Sequence, residues 1–291
     1  MQILDGTAVS AHIREQIKAE SMQMLADGKR APHLAAILVG HDPASQVYVG
    51  SKVRTCEELG FGSTLLRFDA DISQQSLLQE VQKLNENPAI DGILVQLPLP
   101  KHISSDSIIN AIDPGKDVDG FHPISQGRMV LGQPTFLSAT PYGILLMLQH
   151  YGISPAGMNC VVIGRSNIVG TPMSILLSRN TPTGNATVTL AHSRTKDLAH
   201  ICREADLIVA AIGQPRFVKA DMVKEGAIVV DVGMNRIDDP TRKSGTRLVG
   251  DVDFDAVAPK CSWITPVPKG VGPMTICGLM KNTLLARKLA N

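Results

Sequence analysis

The sequence predicts an α/β protein with two lobes, each built on a mainly parallel sheet. Short runs rich in Val, Ile and Leu alternate with segments of helical length, and such near-continuous apolar strands are typical of parallel sheets that are covered on both faces. The chain has 291 residues, which is enough for two domains with separate cores. The predicted strands lie at residues 34–39, 63–68, 93–97, 160–163, 186–190, 207–211 and 227–232.

The order of these elements predicts the domain organisation. The first three strands belong to an N-terminal α/β domain, residues 1–139, and a Pro- and Gly-rich stretch after residue 97 predicts a hinge or cleft. Residues 140–273 form the second domain. Helices are expected at 145–151 and 274–289, the last of them (274–291) rejoining the first domain, and residues 238–250 are expected to form a surface hairpin or mobile loop.

Composition excludes several classes of protein. A net charge of +1 and an aromatic content of 3% argue against nucleic-acid and membrane partners. Five scattered cysteines without a Cys-x-x-Cys pair predict neither a disulfide framework nor a metal site. The sequence contains no basic leader followed by a long apolar segment, and we therefore expect a cytoplasmic protein.

A glycine turn follows the strand Cys160–Ile163. The run Gly164-Arg165-Ser166-Asn167-Ile168-Val169-Gly170 leads into an apparent helix. Backbone N–H groups and the positive end of the helix dipole in such a turn can approach a pyrophosphate. The spacing Gly-x-x-x-x-x-Gly differs from the usual Gly-x-Gly-x-x-Gly, so an ordinary tight turn is the alternative.

The next strand ends in Ala191-His192-Ser193-Arg194, where an NAD site would usually place an acid. Arg165, Ser193 and Arg194 instead offer a guanidinium fork, a hydroxyl and a second cation, which favour the extra phosphate of NADP. Solvated surface arginines are the alternative. These features predict a Rossmann-type NADP-binding domain.

A second group of candidate residues lies in the N-terminal half. Tyr48 and Lys52 are four residues apart on a probable helix and so share one face. A lysine that is partly removed from water can act as an acid or base, although an exposed lysine on an amphipathic helix fits the same spacing. Gln96 stands at the carboxyl end of a strand, where ligands of α/β sheets gather.

Two further segments are rich in functional residue types. Asp117 and Asp119 alternate about a valine and could accept hydrogen bonds from an amino-heterocycle, or could lie in a solvated loop. Residues 264–275 contain prolines and glycines that predict an extended path along a cofactor, or a plain rigid linker.

Taken together and in this order, the motifs resemble the bifunctional methylenetetrahydrofolate dehydrogenase/methenyltetrahydrofolate cyclohydrolase family, the FolD type. The resemblance runs nearly end to end. Its motifs are Tyr48-x-x-x-Lys52, Val95-Gln96-Leu97-Pro98-Leu99, Lys116-Asp117-Val118-Asp119-Gly120-Phe121, Thr140-Pro141, Gly164-Arg165-Ser166-x-x-Val169-Gly170, Asp231-Val232-Gly233 and Pro266-Val267-Pro268-x-Gly270-Val271-Gly272-Pro273-Met274-Thr275.

The resemblance implies a homodimer that binds tetrahydrofolate substrates in a cleft between an N-terminal catalytic domain (1–139) and a C-terminal NADP-binding domain (140–273). It implies that Lys52 is the general acid/base, that Tyr48 orients it, that Gln96 tunes it by a hydrogen bond and that Asp119 holds the pterin. Substrate-binding positions also include Ser45, Leu97, Pro268, Gly272 and Pro273. Cofactor-binding positions are Thr140, Gly164, Arg165, Ser166, Ile168, Val169, Gly170, His192, Ser193, Arg194, Gly213, Gly233 and Gly272.

Two segments depart from the family pattern. Ser138-Ala139 replaces Pro-Cys before Thr140, and Lys269 stands where glycine is usual. The acid/base pair is intact, so both activities are expected. Alternatives are a short-chain dehydrogenase, in which the glycine turn would precede the Tyr-x-x-x-Lys pair, and a catalytically silent folate- or nucleotide-binding protein.

Overall fold

A computed structural model describes residues 1–242 and 245–290 of the chain. Helices and strands alternate along most of its length, with two short 3₁₀ turns at Ala220–Met222 and Ala258–Lys260. The strands are β1 (Gln2–Ile3), β2 (His33–Val39), β3 (Gly62–Phe68), β4 (Gly92–Val95), β5 (Asn159–Ile163), β6 (Thr187–Ala191), β7 (Leu207–Ala210), β8 (Ile228–Asp231), β9 (Asn235–Asp238), β10 (Thr246–Val249) and β11 (Trp263–Ile264). The helices are α1 (Gly6–Ala26), α2 (Pro43–Leu59), α3 (Gln74–Glu86), α4 (Ser105–Ala111), α5 (Pro123–Leu131), α6 (Ala139–His150), α7 (Gly170–Ser178), α8 (Leu198–Arg203), α9 (Phe254–Val257) and α10 (Val271–Leu289).

The chain divides into two compact units. The six-stranded unit comprises Met1–Ala11 and Thr140–Thr275. Its sheet has the order β1-β11-β8-β7-β5-β6, and every neighbouring pair is parallel. Val161, Val209 and Val229 are fully or almost fully buried in the strands, which explains why these strands read as continuous apolar runs.

The three-stranded unit comprises His12–Ala139 and the chain from Ile276 onwards. Its sheet, in the order β3-β2-β4, is also parallel. Ile37 and Ile93 of the sheet pack in one core with Leu77 and Val81 of α3. The predicted α/β class and the mainly parallel sheet are therefore confirmed.

Most strand predictions agree with the structure to within one or two residues at each end. The sequence did not indicate β1, a two-residue strand that pairs with β11. Because of this pairing, Met1–Ala11 groups with the six-stranded unit, whereas the predicted first domain begins at residue 1. The predicted domain boundaries remain a prediction.

The Pro- and Gly-rich stretch after residue 97 contains two helices, α4 and α5, which the sequence did not indicate. Helix α5 starts on Pro123, where the missing N–H is harmless, and the His122 side chain accepts from the Ile124 N–H at 3.0 Å. It ends at Gly132, whose φ is +71°. Turn-forming residues here mark the ends of short helices rather than one long loop.

The structure also differs in detail from two predictions near the C-terminus. Helix α10 begins at Val271, earlier than expected, because Pro273 is tolerated in a first turn. The predicted hairpin is formed by β9 and β10, which pair antiparallel; Lys243 and Ser244 of that prediction, and Asn291 of the last helix, lie outside the described residues. No helix in the described parts of the chain is long and apolar enough to cross a membrane.

Candidate active site

Helix α2 positions the predicted acid/base pair. The Asp42 carboxylate accepts the Ser45 N–H at 2.7 Å at its start, and Gly60 ends it in the left-handed conformation with φ +72°. These fixed ends hold Tyr48 and Lys52 one turn apart. The Lys52 Nζ lies 4.6 Å from the centroid of the Tyr48 ring, a cation–π distance.

Lys52 is 4% exposed, which is unusual for a lysine. Its Nζ donates to Oε1 of Gln96 at 3.0 Å. The Gln96 Nε2 donates to the Leu97 carbonyl at 2.8 Å, and this contact turns the amide oxygen toward Lys52. Burial lowers the pKa of Lys52, and the negative charge of Asp119 opposes that shift. The amine is therefore easier to deprotonate than an ordinary lysine.

Asp119 completes this cluster. Burial raises the pKa of its carboxyl to about 6, while the positive charge of Lys52 lowers it and the negative charge of Asp117 raises it. Tyr48, Lys52, Gln96 and Asp119 are thus gathered in the three-stranded unit, as the sequence predicts for a catalytic centre. Ser45, one turn before Tyr48 on α2, is buried.

The turn that carries Asp119 is held by the buried Asp117. The Asp117 carboxylate accepts the backbone N–H groups of Phe121 at 3.1 Å and His122 at 2.9 Å. Burial raises its pKa to about 6 in spite of these bonds. Gly120 has φ +70°, and a Cβ there would lie 2.6 Å from the Leu137 carbonyl carbon. Both features fix the backbone on either side of Asp119.

Backbone carbonyls of the same turn are bound from other elements. Asn282 of α10 donates to Val118 O at 2.8 Å, and the Ala139 N–H donates to Asp119 O at 3.2 Å. Ser138, one of the departures from the family pattern, donates to Gly120 O at 3.2 Å. The serine therefore replaces proline at a position where its hydroxyl helps to hold the turn.

The glycine turn of the six-stranded unit is shaped by close packing. A Cβ at Gly164 would lie 2.1 Å from the Ala211 carbonyl oxygen, and one at Gly170 would lie 1.9 Å from the Gly164 oxygen. Gly170 of the unusual Gly-x-x-x-x-x-Gly spacing thus packs against the Gly164 carbonyl, and Gly164 packs against the loop after β7. Between the two glycines, Ser166 Oγ accepts the N–H groups of Val169 at 3.2 Å and Gly170 at 3.4 Å at the start of α7.

The side chains predicted to bind a phosphate lie exposed at the same carboxyl edge. Arg165 and Ser166 follow β5 and are exposed, as are Ser193 and Arg194 after β6. The Arg194 N–H donates to His192 Nδ1 at 3.2 Å, so the half-buried His192 shapes this turn from within. An exposed arginine fork, two hydroxyls and a helix start fit a dinucleotide with an additional phosphate.

The remaining predicted residues lie around the other loops of this unit. Thr140 Oγ1 is 3.0 Å from Thr275 Oγ1. The rest are exposed or half-buried, except Gly233, which is buried. They belong to the turn after β5, to the loops after β7, β8 and β11, or to the start of α10: Ile168, Val169, Gly213, Gly233, Pro268, Gly272 and Pro273. The predicted substrate-binding residues are therefore divided between the two units.

Sequence reasoning missed residues whose importance depends on tertiary contacts. Met234 is 53% exposed immediately after Gly233, and its Cε lies 3.0 Å from where a Cβ of Gly272 would stand. Asn282 and Asp251 are buried and bind loop backbones. Met234 could have been singled out by its place directly after the Asp231-Val232-Gly233 motif, whereas Asp251 and Asn282 stand beside none of the motifs. In the part of the chain that the structure describes, His, Cys, Asp and Glu form no group that could hold a metal ion.

The fold and these two clusters define a class of protein, a two-domain α/β protein with a buried lysine of lowered pKa in one unit and a dinucleotide-type sheet edge in the other. Comparison with known families narrows this class. Residues 4–119 match the model of the tetrahydrofolate dehydrogenase/cyclohydrolase catalytic domain, and residues 138–291 match the model of its NAD(P)-binding domain. The chain belongs to the tetrahydrofolate dehydrogenase/cyclohydrolase family. The predicted family and enzyme class are confirmed.

Individual relatives are similar to this chain along nearly their whole lengths. The bifunctional protein FolD of Phocaeicola vulgatus is 59% identical over 290 residues, which cover 100% of this chain and 99% of that protein. The FolD crystal structure from Campylobacter jejuni is 48% identical with a TM-score of 0.93 and 99% coverage of both chains. That of the Trypanosoma brucei enzyme, complexed with NADP cofactor and an inhibitor, is 37% identical with a TM-score of 0.92, covering 98% of this chain and 96% of that chain.

Proposed function

We propose that this enzyme oxidises 5,10-methylenetetrahydrofolate with NADP to 5,10-methenyltetrahydrofolate and then hydrolyses that product to 10-formyltetrahydrofolate. The observation that carries the proposal is the buried Lys52, held between Tyr48, Gln96 and Asp119. A second activity that moves protons needs such a group, whereas hydride transfer alone does not.

The coenzyme supplies the hydride acceptor when it is bound. The protein's contribution to this step is orientation, because the nitrogens of the substrate themselves stabilise the cation that develops. Arg165, Ser166 and Ser193 hold the phosphates in this proposal, and Thr140 and Gly272 border the nicotinamide. The absence of an acid after β6 favours NADP over NAD.

Lys52 serves the hydrolytic step. Water adds to the methenyl carbon and loses a proton to the neutral amine of Lys52, whose lowered pKa makes that form accessible. The carbon–nitrogen bond then breaks as the new hydroxyl releases its remaining proton to water and becomes the formyl carbonyl, and the Lys52 amine returns the first proton to the departing nitrogen. Gln96 keeps the amine in place through its 3.0 Å contact. The Asp119 carboxylate accepts a hydrogen bond from the amino edge of the pterin and stabilises the protonated form of Lys52.

The direct test is an assay of the purified chain in two reactions. Methylenetetrahydrofolate with NADP should give NADPH absorbance, and methenyltetrahydrofolate alone should be hydrolysed without coenzyme. A protein that binds both ligands but catalyses neither reaction would be the silent binding protein. Reduction of NADP without hydrolysis would leave a dehydrogenase and remove the proposed role of Lys52.

The proposal also includes a homodimer in the cytoplasm. The family resemblance favours the dimer. The five cysteines of the chain are buried and form no disulfide in the described residues, which a reducing compartment favours.

A further inference from the structure

Two buried aspartates of the six-stranded unit take no part in the proposed chemistry. Asp231 ends β8 and is 3% exposed, and Asp251 follows β10 and is 0% exposed. A buried carboxylate is costly unless several donors surround it. The donors that surround these two carboxylates come from the loops at the carboxyl edge of the sheet.

Asp251 accepts three hydrogen bonds from two of these loops. Its Oδ2 accepts the N–H groups of Ile212 at 2.7 Å and Gly213 at 2.9 Å, directly after β7. Its Oδ1 accepts Nδ2 of Asn235 at 2.9 Å, at the start of β9. One side chain thus joins the loop after β7 to the loop after β8.

Asp231 holds Asp251 itself. The Asp231 carboxylate accepts the N–H groups of Asp251 at 2.8 Å, Val252 at 3.0 Å and Gly233 at 2.9 Å. The space around the pair is filled, because a Cβ at Gly250 would lie 1.7 Å from Asp231 Oδ2 and one at Gly233 would lie 2.3 Å from Asp251 Oδ1. The position of Asp251 is therefore set by the backbone around it.

The loop that Asp251 holds lies directly against the glycine turn. Ala211, the residue before Ile212, has its carbonyl oxygen where a Cβ of Gly164 would be. The Ala211 N–H also donates to Ile163 O at 2.8 Å, so this loop and the turn meet at the ends of β5 and β7. A shift at Ile212 or Gly213 would be transmitted to the backbone that is proposed to receive the coenzyme.

We propose that Asp251 is a positioning residue for the coenzyme: it acts through Gly213, Gly233 and the glycine turn, and it serves only the coenzyme-dependent reaction. The inference rests on the proposed function. The inference goes beyond the proposed function, because it makes the affinity for the coenzyme depend on a buried carboxylate that need not touch the coenzyme.

Asp251→Asn is the informative variant. The new side chain keeps one oxygen for Ile212 and Gly213 but turns an amide nitrogen toward the Asn235 amide, so two donors face each other. We expect KM for NADP to rise about tenfold, since a buried hydrogen bond is lost and the loop shifts. The hydrolysis of methenyltetrahydrofolate in the absence of coenzyme should stay at the wild-type rate. Asp255→Asn, an exposed neighbour on α9, is the matched control.

A compensating substitution provides a second test of the proposal. In Asp251→Asn combined with Asn235→Asp, the two side chains exchange roles and regain their hydrogen bond, and KM for NADP should return most of the way to wild type. If Asp251→Asn does not fold, Asn235→Ala removes one of the three bonds to Asp251 and should raise KM for NADP by about threefold.

The outcomes separate the two proposals. A wild-type protein that is inactive in both reactions contradicts the proposed function. Active wild type with an unchanged KM for NADP in the variants contradicts the positioning role alone. Equal loss of both reactions, or no recovery in the double variant, would also overturn it, because either result would make Asp251 a general structural residue.

Discussion

Lys52 is a charged residue in surroundings that disfavour its charge. Burial lowers its pKa, Asp119 raises it, and Gln96 accepts a hydrogen bond from its amine. The burial effect is the larger of the first two, so the Lys52 amine loses its proton more easily than an ordinary lysine, a property that suits an acid/base group. Tyr48 limits where the amine can move.

The pH dependence of hydrolysis tests this balance. A reaction that needs neutral Lys52 becomes faster as pH rises through the pKa of that residue. Asp119→Asn removes the negative charge that raises this pKa, so the midpoint of the kcat profile should move to lower pH, by about one unit. Because kcat is measured at saturating methenyltetrahydrofolate, a change in substrate affinity does not affect the profile. A midpoint that stays in place or moves to higher pH would contradict the coupling.

Coenzyme selection is also a property of single residues. Arg165→Ala removes the guanidinium that is proposed to pair with the extra phosphate of NADP. We expect KM for NADP to rise about tenfold while KM for NAD changes less than about twofold. Steady-state kinetics with both coenzymes measure this, with Arg67→Ala, an exposed arginine of β3, as control. Equal losses for both coenzymes would indicate a structural role.

At the scale of elements, the turn with Asp119 depends on a helix more than a hundred residues further along the chain. Asn282 of α10 donates 2.8 Å bonds to both Val118 O and Leu137 O. Its side chain is buried, so neither carbonyl can turn to water when the amide is removed.

Asn282→Ala should therefore lower the free energy of unfolding by about 3 kcal/mol, for two buried carbonyls without donors. Folate KM should rise as well, since the turn that carries Asp119 loosens. Urea unfolding and substrate titration measure the two effects. Lys281→Ala on the same helix, which makes neither bond, is the control and should change stability by less than about 0.5 kcal/mol. A change in Asn282→Ala no larger than in the control would refute this role of α10.

The elements also show what the sequence could predict. The strands β2, β4, β5, β7 and β8 were predictable because nearly all of their residues are apolar and buried. The mostly half-buried β3 and β6 were predictable from short apolar runs between helical segments. Helices α4 and α5 were not, because Pro and Gly also mark helix ends and α5 contains Gly127 in its interior. The glycine spacing predicted a ligand-binding turn. The length of this turn reflects the close approach of Gly170 to the Gly164 carbonyl oxygen, which the sequence alone does not show.

On the scale of the whole molecule, the chain combines two units with different tasks. The motifs predicted both, since Gln96 and the glycine turn follow strands, where a ligand can reach them, while Tyr48 and Lys52 share one face of α2. The supporting groups, such as Asp251 and Asn282, were beyond sequence reasoning because their partners are distant in sequence. Buried polar residues of this kind carry no periodic signal.

The proposed homodimer gives a prediction at this scale. Light scattering of the purified protein should give twice the mass of one chain at micromolar concentration. Addition of NADP should leave that mass unchanged, because the coenzyme is proposed to bind within one subunit. A single-chain mass would contradict the proposed dimer.

The most direct test of the central claim, that one protein carries two separable activities, is Lys52→Met with methylenetetrahydrofolate and NADP. NADPH and the methenyl product are followed separately, with Lys18→Met, an exposed lysine of α1, as control. We expect NADPH to form and methenyltetrahydrofolate to accumulate, with the enzymatic rate of its hydrolysis reduced at least about a hundredfold. Hydrolysis at the wild-type rate in Lys52→Met would contradict the account.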